Sequence, residues 1–142
     1  MNNTGKKHCT KCAIAYALDI FGDRWSLLVI RDLLLRGHKT YGEFLEAGEG
    51  IATNVLADRL KTLEAAGIIV KSRDPGNRRK NIYALTEKGM DLAPVILEIV
   101  RWSGHYDQQT NASVEMLARI DSDREGLLAD LRSERINAPD GK

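Results

Sequence analysis

Five basic side chains lie within ten residues of each other, between positions 71 and 80. The single acid among them is Asp74, so the local charge is +4 in a chain whose formal net charge is +1. Neighbouring cations repel one another unless an anion lies between them, and phosphate oxygens are anions that Lys and Arg side chains bind well. A solvated loop that only keeps the chain soluble is the alternative. The cations are Lys71, Arg73, Arg78, Arg79 and Lys80.

A second set of polar side chains lies along residues 51 to 67, which have the period of an amphipathic helix. At about 100° per residue, the leucines at 56, 60 and 63 fall on one face. The opposite face carries side chains that can hydrogen-bond to base edges and phosphates. Plain surface is the alternative for each of them, and Arg59 could instead pair with a local acid or cover the core. We interpret residues 51 to 66 as a recognition helix with candidate DNA contacts Thr53, Asn54, Asp58, Arg59 and Lys61.

His8, Cys9 and Cys12 lie within five residues near the N-terminus. A structural zinc site needs four ligands, and this segment offers at most three, so we expect no metal site. Two cysteines in a chain of this length make no disulfide framework, and in a reducing compartment they are expected to be thiols. The sequence contains no nucleophile-elbow, phosphate-loop or metalloprotease motif. It therefore predicts no catalytic residue, no cofactor and no enzyme.

The elements that must position these side chains follow from the spacing of the apolar residues. Residues 11 to 22 predict one short helix that ends at a glycine. Residues 23 to 37 predict a helix that is apolar on nearly all sides and is therefore buried, with Asp23 as its N-cap. Thr40 and Glu43 have the spacing of a capping box at the start of a third, shorter helix.

After the recognition helix, the pattern changes to two short strand-like runs. We expect a type II turn at Pro75 and Gly76 to join them, which would place the basic cluster at the tip of a hairpin. Thr86 then caps a long helix that runs to residue 106, and Pro94 in its interior predicts a kink. Residues 113 to 135 repeat apolar residues at helical spacing and predict one closing helix.

This order of elements predicts a winged helix-turn-helix, a mainly α fold with a small β-hairpin wing. We expect residues 1–10 to be a flexible N-terminal tail and residues 11–106 to be a DNA-binding domain. Residues 107–142 are expected to form a helical extension with an apolar stripe, and its end is expected to fray. No segment resembles a signal peptide or a membrane span, which predicts a cytoplasmic protein without a membrane partner.

The chain contains, in this order, CAIAYALDIFGDRWSLLVIRDLL, YGEF before GI, VLADRLKTLEAAGII and YALTEKGMDLAPVI. Over roughly residues 12 to 102, these motifs resemble the HxlR-type winged helix-turn-helix regulators of bacteria. The resemblance implies a homodimer that is held by N- and C-terminal helices and reads a roughly palindromic operator in double-stranded DNA. Residues 11–106 would then include dimerisation helices, and the apolar stripe of residues 107–142 is expected to pack in the dimer. It also implies that Cys12 stands where some members sense electrophiles or oxidants, with Cys9 as a neighbour that could resolve it as a disulfide.

Three departures from the family pattern have physical consequences. Ala52 stands where a serine usually caps the recognition helix, so the cap is lost or shifts to Thr53, and its loss costs about 1 kcal/mol. Gly48 replaces a usual leucine, which should loosen the preceding turn. The wing tip reads GNRRK where many members have prolines, which predicts stronger contact with the DNA backbone.

The sequence thus predicts a sequence-specific, homodimeric transcriptional regulator, either repressor or activator. Residues 51 to 66 are expected in the major groove, and residues 71 to 80 on phosphates or in the minor groove. A thiol-based sensor, in which an oxidant or small-molecule effector acts through Cys12 on the same DNA binding, is one alternative. A protein–protein adaptor that has lost DNA binding is another. The expected wing contacts are Arg73, Asn77, Arg78, Arg79 and Lys80.

Overall fold

The computed structural model describes residues 11–137, which form eight helices and one antiparallel hairpin. The first half of this region contains four helices: α1 (Ala13–Phe21), α2 (Ser26–Leu34), α3 (Tyr41–Leu45) and α4 (Thr53–Ala65). The hairpin follows as β1 (Ile69–Asp74) and β2 (Asn77–Leu85). The remaining helices are α5 (Glu87–Met90), α6 (Ala93–Tyr106), α7 (Val114–Ser122) and α8 (Arg124–Asn137). The predicted winged helix-turn-helix is confirmed.

Helix α2 is the buried centre of the fold, as its apolar sequence predicted. Ile30 and Leu34 are fully buried, and they belong to one core with the apolar face of α4 and with Leu97 of α6. Burial of each such side chain contributes roughly 1.5–3 kcal/mol. The N-cap of α2 is Trp25, which makes no side-chain capping bond, so the prediction of Asp23 as N-cap is wrong in its position. Asp23 lies three residues before α2 and accepts hydrogen bonds from the amides of Trp25 and Ser26.

The turn between α3 and α4 is held at both ends. At the start of α3, Thr40 and Glu43 form the predicted capping box, in which each side chain accepts a hydrogen bond from the other residue's amide. The hydroxyl of Tyr41 donates to the carbonyl of Thr53 at 2.8 Å and so ties α3 to the first residue of α4. Gly48, with φ of 98°, lies in the left-handed region, where a leucine side chain would be strained.

The hairpin is anchored at its base and differs from the prediction at its tip. Ile69 pairs with Leu85, and the register shifts between Arg73 and Asp74. The expected type II turn is wrong, because such a turn needs positive φ at its third residue and Gly76 does not have it. The carboxylate of Asp74 instead accepts a hydrogen bond from the Gly76 amide at 2.9 Å.

Two predicted long helices are each broken into two. The helix expected from residue 86 to 106 stops at Met90, and α6 begins at Ala93. Pro94 thus lies in the first turn of α6, where its missing N–H costs no hydrogen bond, so the predicted kink is wrong. The closing helix is interrupted at Asp123, which leaves helical geometry and accepts a hydrogen bond from the Gly126 amide at 3.2 Å.

The C-terminal helices pack on the chain's own core. Ile120 is fully buried, and Leu127 and Leu131 are nearly so. Arg132 of α8 donates to both carboxylate oxygens of Glu87 in α5 at 2.9 Å. The apolar stripe that led us to expect dimer packing for residues 107–142 thus contributes to the core of the subunit, and a role of this segment in a dimer stays a prediction. Within residues 11–137, no helix is long and apolar enough to cross a lipid bilayer.

Candidate nucleic-acid interface

Helix α4 presents a polar face because its leucines are fixed in the core. Leu56, Leu60 and Leu63 are buried, as the amphipathic pattern predicted. The helix begins at Thr53, and the preceding Ala52 makes no side-chain capping bond. The family's serine cap is therefore lost in this chain. Among the predicted DNA contacts, the side chains exposed on this face are Thr53, Asn54, Asp58 and Lys61.

Arg59 is the exception among the predicted contacts. Its guanidinium donates to the carboxylate of Asp23 at 3.2 Å and also pairs with its neighbour Asp58. Three quarters of its side chain is buried, with 24% exposed. The structure thus places Arg59 in the local acid pair that the sequence left as its alternative role, and its contact with DNA stays a prediction.

The Asp23 carboxylate joins the start of α2 to α4. One of its oxygens accepts hydrogen bonds from the amides of Trp25 and Ser26, both at 2.9 Å. The other accepts from the Ser26 hydroxyl at 2.6 Å and from Arg59. Partial burial raises the pKa of Asp23, but the hydrogen bonds from Ser26 and Trp25 and the charge of Arg59 outweigh it. The pKa of this carboxyl therefore lies below its ordinary value of 3.8.

A second polar cluster joins α2 to the turn before α4. Arg31 donates to the buried Asp32 at 2.9 Å and reaches Glu49 in that turn at 3.0 Å. Arg36 donates to the carbonyl of Ala47 in the same turn at 3.1 Å. Burial raises the pKa of Asp32, although the adjacent arginines oppose the shift. The two clusters together limit how α4 can shift relative to α2.

The hairpin tip carries uncompensated positive charge. Its predicted contact side chains are exposed, and none of its five cations forms an ion pair with an acid anywhere in residues 11–137. Arg73 donates across the hairpin to the carbonyl of Arg78 at 2.6 Å, which orders the tip without neutralising it. The side-chain oxygen of Asn77 accepts from the Arg79 amide at 3.2 Å, so this residue shapes the turn.

Two residues beside α4 were missed as site residues in the sequence. Trp25 lines an open cleft together with Asn54, Val55 and Asp58 of α4, and also with Arg59. The exposed side chain of Arg24 lies over the Trp25 ring, with its Cζ 5.2 Å from the ring centroid. The signal in the sequence was the adjacent cation and tryptophan in GDRW, whose position beside α4 depends on tertiary packing.

Cys12 begins α1, and its Sγ accepts a hydrogen bond from the Ala15 amide at 3.5 Å. Its side chain is exposed. His8, Cys9 and the rest of the expected N-terminal tail lie outside the described residues, as do residues 138–142 of the expected frayed end. Residues 11–137 contain no group of three or more histidine, cysteine or acidic side chains that could hold a metal ion.

Comparison with known proteins finds similarity to helix-turn-helix transcriptional regulators. The family model described as HxlR-like helix-turn-helix matches residues 20–111. The HTH-type transcriptional regulator YodB of Bacillus subtilis is 36% identical over 102 residues, which are 72% of this chain and 88% of that protein. The uncharacterised HTH-type transcriptional regulator sll1512 of Synechocystis is 30% identical over 106 residues, which are 75% of this chain and 78% of that protein.

Solved structures resemble the fold over the same region. The reduced form of YodB has a TM-score of 0.57 and 33% identity, and the match covers 72% of this chain and all of that one. The redox regulator HypR in its oxidised form has a TM-score of 0.61 and 28% identity, covering 68% of this chain and 98% of that one. Quinone-bound YodB has a TM-score of 0.52 and 34% identity, and the match covers 66% of this chain and 97% of that one.

Replacing Asp23 by asparagine tests the carboxylate that joins α2 to α4. Asparagine keeps an oxygen acceptor but loses the charge, so we expect the free energy of unfolding at pH 7 to fall by roughly 1 kcal/mol. Because the folded pKa lies below the ordinary value of 3.8, the wild-type advantage is present above that value and disappears as the pH falls through the folded pKa. Urea denaturation at a series of pH values from 7 to about 3, at fixed protein concentration, measures the difference in unfolding free energy between the wild type and the variant.

The matched control is Asp121→Asn, because Asp121 is exposed on α7 and lies outside this network. It should leave the unfolding free energy nearly unchanged at each pH. A deficit in Asp23→Asn that persists undiminished at the lowest pH would show that the charge of Asp23 is not what stabilises the junction.

Proposed function

Since the chain belongs to the HxlR-like helix-turn-helix family, we propose that it is a sequence-specific transcriptional regulator that binds double-stranded DNA as a homodimer. Helix α4 enters the major groove, and the hairpin from residue 71 to 80 contacts phosphates or the minor groove. The observation that carries the proposal is the uncompensated charge of the hairpin tip, directly after a helix with a polar exposed face. A dimer with two such helices reads a roughly palindromic operator.

The exposed residues of α4 have separate roles in this proposal. Asn54 can pair with the edge of an adenine, and Lys61 can reach a phosphate or a guanine. Thr53, in the first turn, can donate to a phosphate beside the unpaired amides of the helix. Asp58 can accept from a cytosine amine, and its pair with Arg59 lowers the electrostatic cost of bringing a carboxylate close to DNA.

The double change Arg78→Ala with Arg79→Ala tests the hairpin. It removes four cations from a dimer, so the slope of log affinity against log salt should fall by roughly 3.6 in magnitude, at about 0.9 per phosphate contact. Affinity should fall on operator and unrelated DNA alike, since phosphates carry no sequence information. Asn54→Ala should instead mainly reduce the difference between the affinity for the operator and the affinity for unrelated DNA. Fluorescence anisotropy over a series of salt concentrations measures both effects.

The charge-matched control is Arg119→Ala with Arg132→Ala, which removes the same number of arginines from the C-terminal helices. These residues pair with Asp130 and with Glu87, and we expect the salt slope to stay unchanged. If the hairpin variant bound the operator as tightly as the wild type, the proposed role of the hairpin would be wrong.

The dimer proposal is supported by an apolar stripe on the outer face of α6. Val95, Ile99, Trp102 and Tyr106 recur at the spacing of a helix–helix seam, and Trp102 is 61% exposed. On α1, Ile14 and Leu18 are exposed one turn apart, while the inner face of α6 lies in the core. An exposed stripe of this kind favours a partner, and we propose that a second copy of the chain covers it.

Changing Ile99 to glutamate puts a charge into the middle of this stripe. We expect the dimer to dissociate at micromolar concentration and operator affinity to drop with it, because a buried unpaired carboxylate costs several kcal/mol. Val114→Glu is the control, since Val114 is a 79% exposed apolar residue on α7, away from the stripe. Sedimentation equilibrium measures both variants. A dimer of wild-type strength in Ile99→Glu would place the interface elsewhere.

A second candidate function is control of DNA binding through Cys12. Its exposed thiol lies at the start of α1, the helix that also carries Ile14 and Leu18. Relatives include a protein described as a redox regulator and another solved with a bound quinone. We propose that a quinone adds to the Cys12 thiolate, which forms a carbon–sulfur bond and reduces the quinone ring to a hydroquinone. The added ring lies where the partner's helices would pack.

Treatment with benzoquinone tests this candidate. We expect one adduct per chain on Cys12 by mass spectrometry, together with a loss of operator affinity of about tenfold or more, as typical coupling between two sites allows. Cys12→Ser should abolish both the loss and the adduct, whereas Cys9→Ser should keep them. An inert Cys12, or an adduct without any change in affinity, contradicts the candidate.

A further inference from the structure

We infer that Arg24 binds a DNA phosphate beside the recognition helix, as a third contact element in addition to α4 and the hairpin. The inference rests on the proposed function, because it assumes that α4 faces DNA. It assigns a role to the turn between α1 and α2, which neither the polar face of α4 nor the basic hairpin includes.

The position of Arg24 follows from its neighbour. Trp25 lines the open cleft that Asn54 and Asp58 also line, so Trp25 and the exposed face of α4 border the same cleft. The guanidinium of Arg24 lies over that ring at 5.2 Å from its centroid. A cation over the ring of a residue that borders this cleft lies beside α4, where we expect the backbone of a duplex in contact with that helix to run.

The turn that carries Arg24 is tied to α4. Asp23 accepts hydrogen bonds from the Trp25 and Ser26 amides on the far side of Arg24 and from Arg59 of α4. The position of Arg24 is thus fixed relative to the recognition helix. The cation–π contact with Trp25 also restricts the long arginine side chain before it meets DNA, which reduces the entropy lost on binding.

The charge of Arg24 is available to an anion. Within residues 11–137, Arg24 forms no ion pair, and its side chain is exposed. The carboxylates of Asp23 and Asp58, which line the same cleft as Trp25, are both engaged by Arg59. An exposed guanidinium over the face of an aromatic ring can still use its N–H groups for the planar, two-point contact that phosphate oxygens accept.

Arg24→Gln tests the inference in the full-length protein. One phosphate contact per protomer is lost, so the magnitude of the salt slope for the dimer should fall by roughly 1.8. Affinity should drop by on the order of tenfold for the operator and by a similar factor for an unrelated duplex of equal length. Arg24→Lys, which keeps the charge but not the two-point geometry, should restore the slope and only part of the affinity.

Lys88→Gln is the matched control. Lys88 is also an exposed cation over an aromatic ring, 5.9 Å from the Tyr16 centroid. It donates to the carbonyl of Ala66 at 2.9 Å, at the C-terminal end of α4 and away from its first turns. We expect this variant to keep the wild-type slope.

The outcomes separate this inference from the proposed function. If Arg24→Gln keeps the wild-type slope while the hairpin double variant loses it, Arg24 is not a phosphate contact and the proposed function stands. A loss confined to the operator would indicate a base contact and also overturn the assignment, as would an equal loss in Lys88→Gln. Wild-type protein that binds neither duplex at low salt would overturn both the inference and the proposed function.

Discussion

The packing of the leucine face of α4 against α2 decides which side chains of this protein can meet another molecule. Three leucines of α4 are buried, and burial of each contributes roughly 1.5–3 kcal/mol, more than a partly exposed ion pair usually does. The axis and the outward face of α4 are therefore set by apolar contact. The polar clusters around Asp23 and Asp32 further restrict the orientation of α4 relative to α2, because hydrogen bonds form in only a narrow range of orientations.

Arginine has opposite roles in two parts of the chain, and the difference lies in the neighbours. In the C-terminal helices, Arg119 and Arg132 each face an acid on another helix. On the hairpin, the strands place cation beside cation, and the one acid, Asp74, is used in the turn. A formal net charge of +1 thus conceals a strongly basic tip. The low net charge limits non-specific attraction of the whole protein to DNA, whereas the basic hairpin tip still attracts DNA locally.

Most of the local structure could be predicted from the sequence, since helical periodicity, the Thr40 capping box and the hairpin depend on residues close in the chain. The breaks were harder to predict, because Pro94 is compatible with a kink in a helix interior and with the first turn of a new helix. An apolar stripe has the same sequence pattern whether it packs on its own domain or on a partner, so the packing of Ile120, Leu127 and Leu131 on the chain's own core could not be predicted. Arg59 pairs with Asp23, 36 residues away, and this pairing depends on tertiary packing.

Contacts near both ends of α1 connect this helix with α4, and the proposed control of DNA binding through Cys12 can act through them. After α1 the chain turns at Asp23, whose carboxylate is bound to Arg59 in the middle of α4. Nearer the start of α1, the ring of Tyr16 lies under Lys88, and Lys88 donates to Ala66 at the end of α4. A group that displaced α1 from a partner would therefore disturb contacts at two points along the recognition helix. Since the leucine face of α4 stays in the core, such a disturbance would act on the polar contacts that orient the exposed face of the helix, and a dimer would change its fit to both half-sites together.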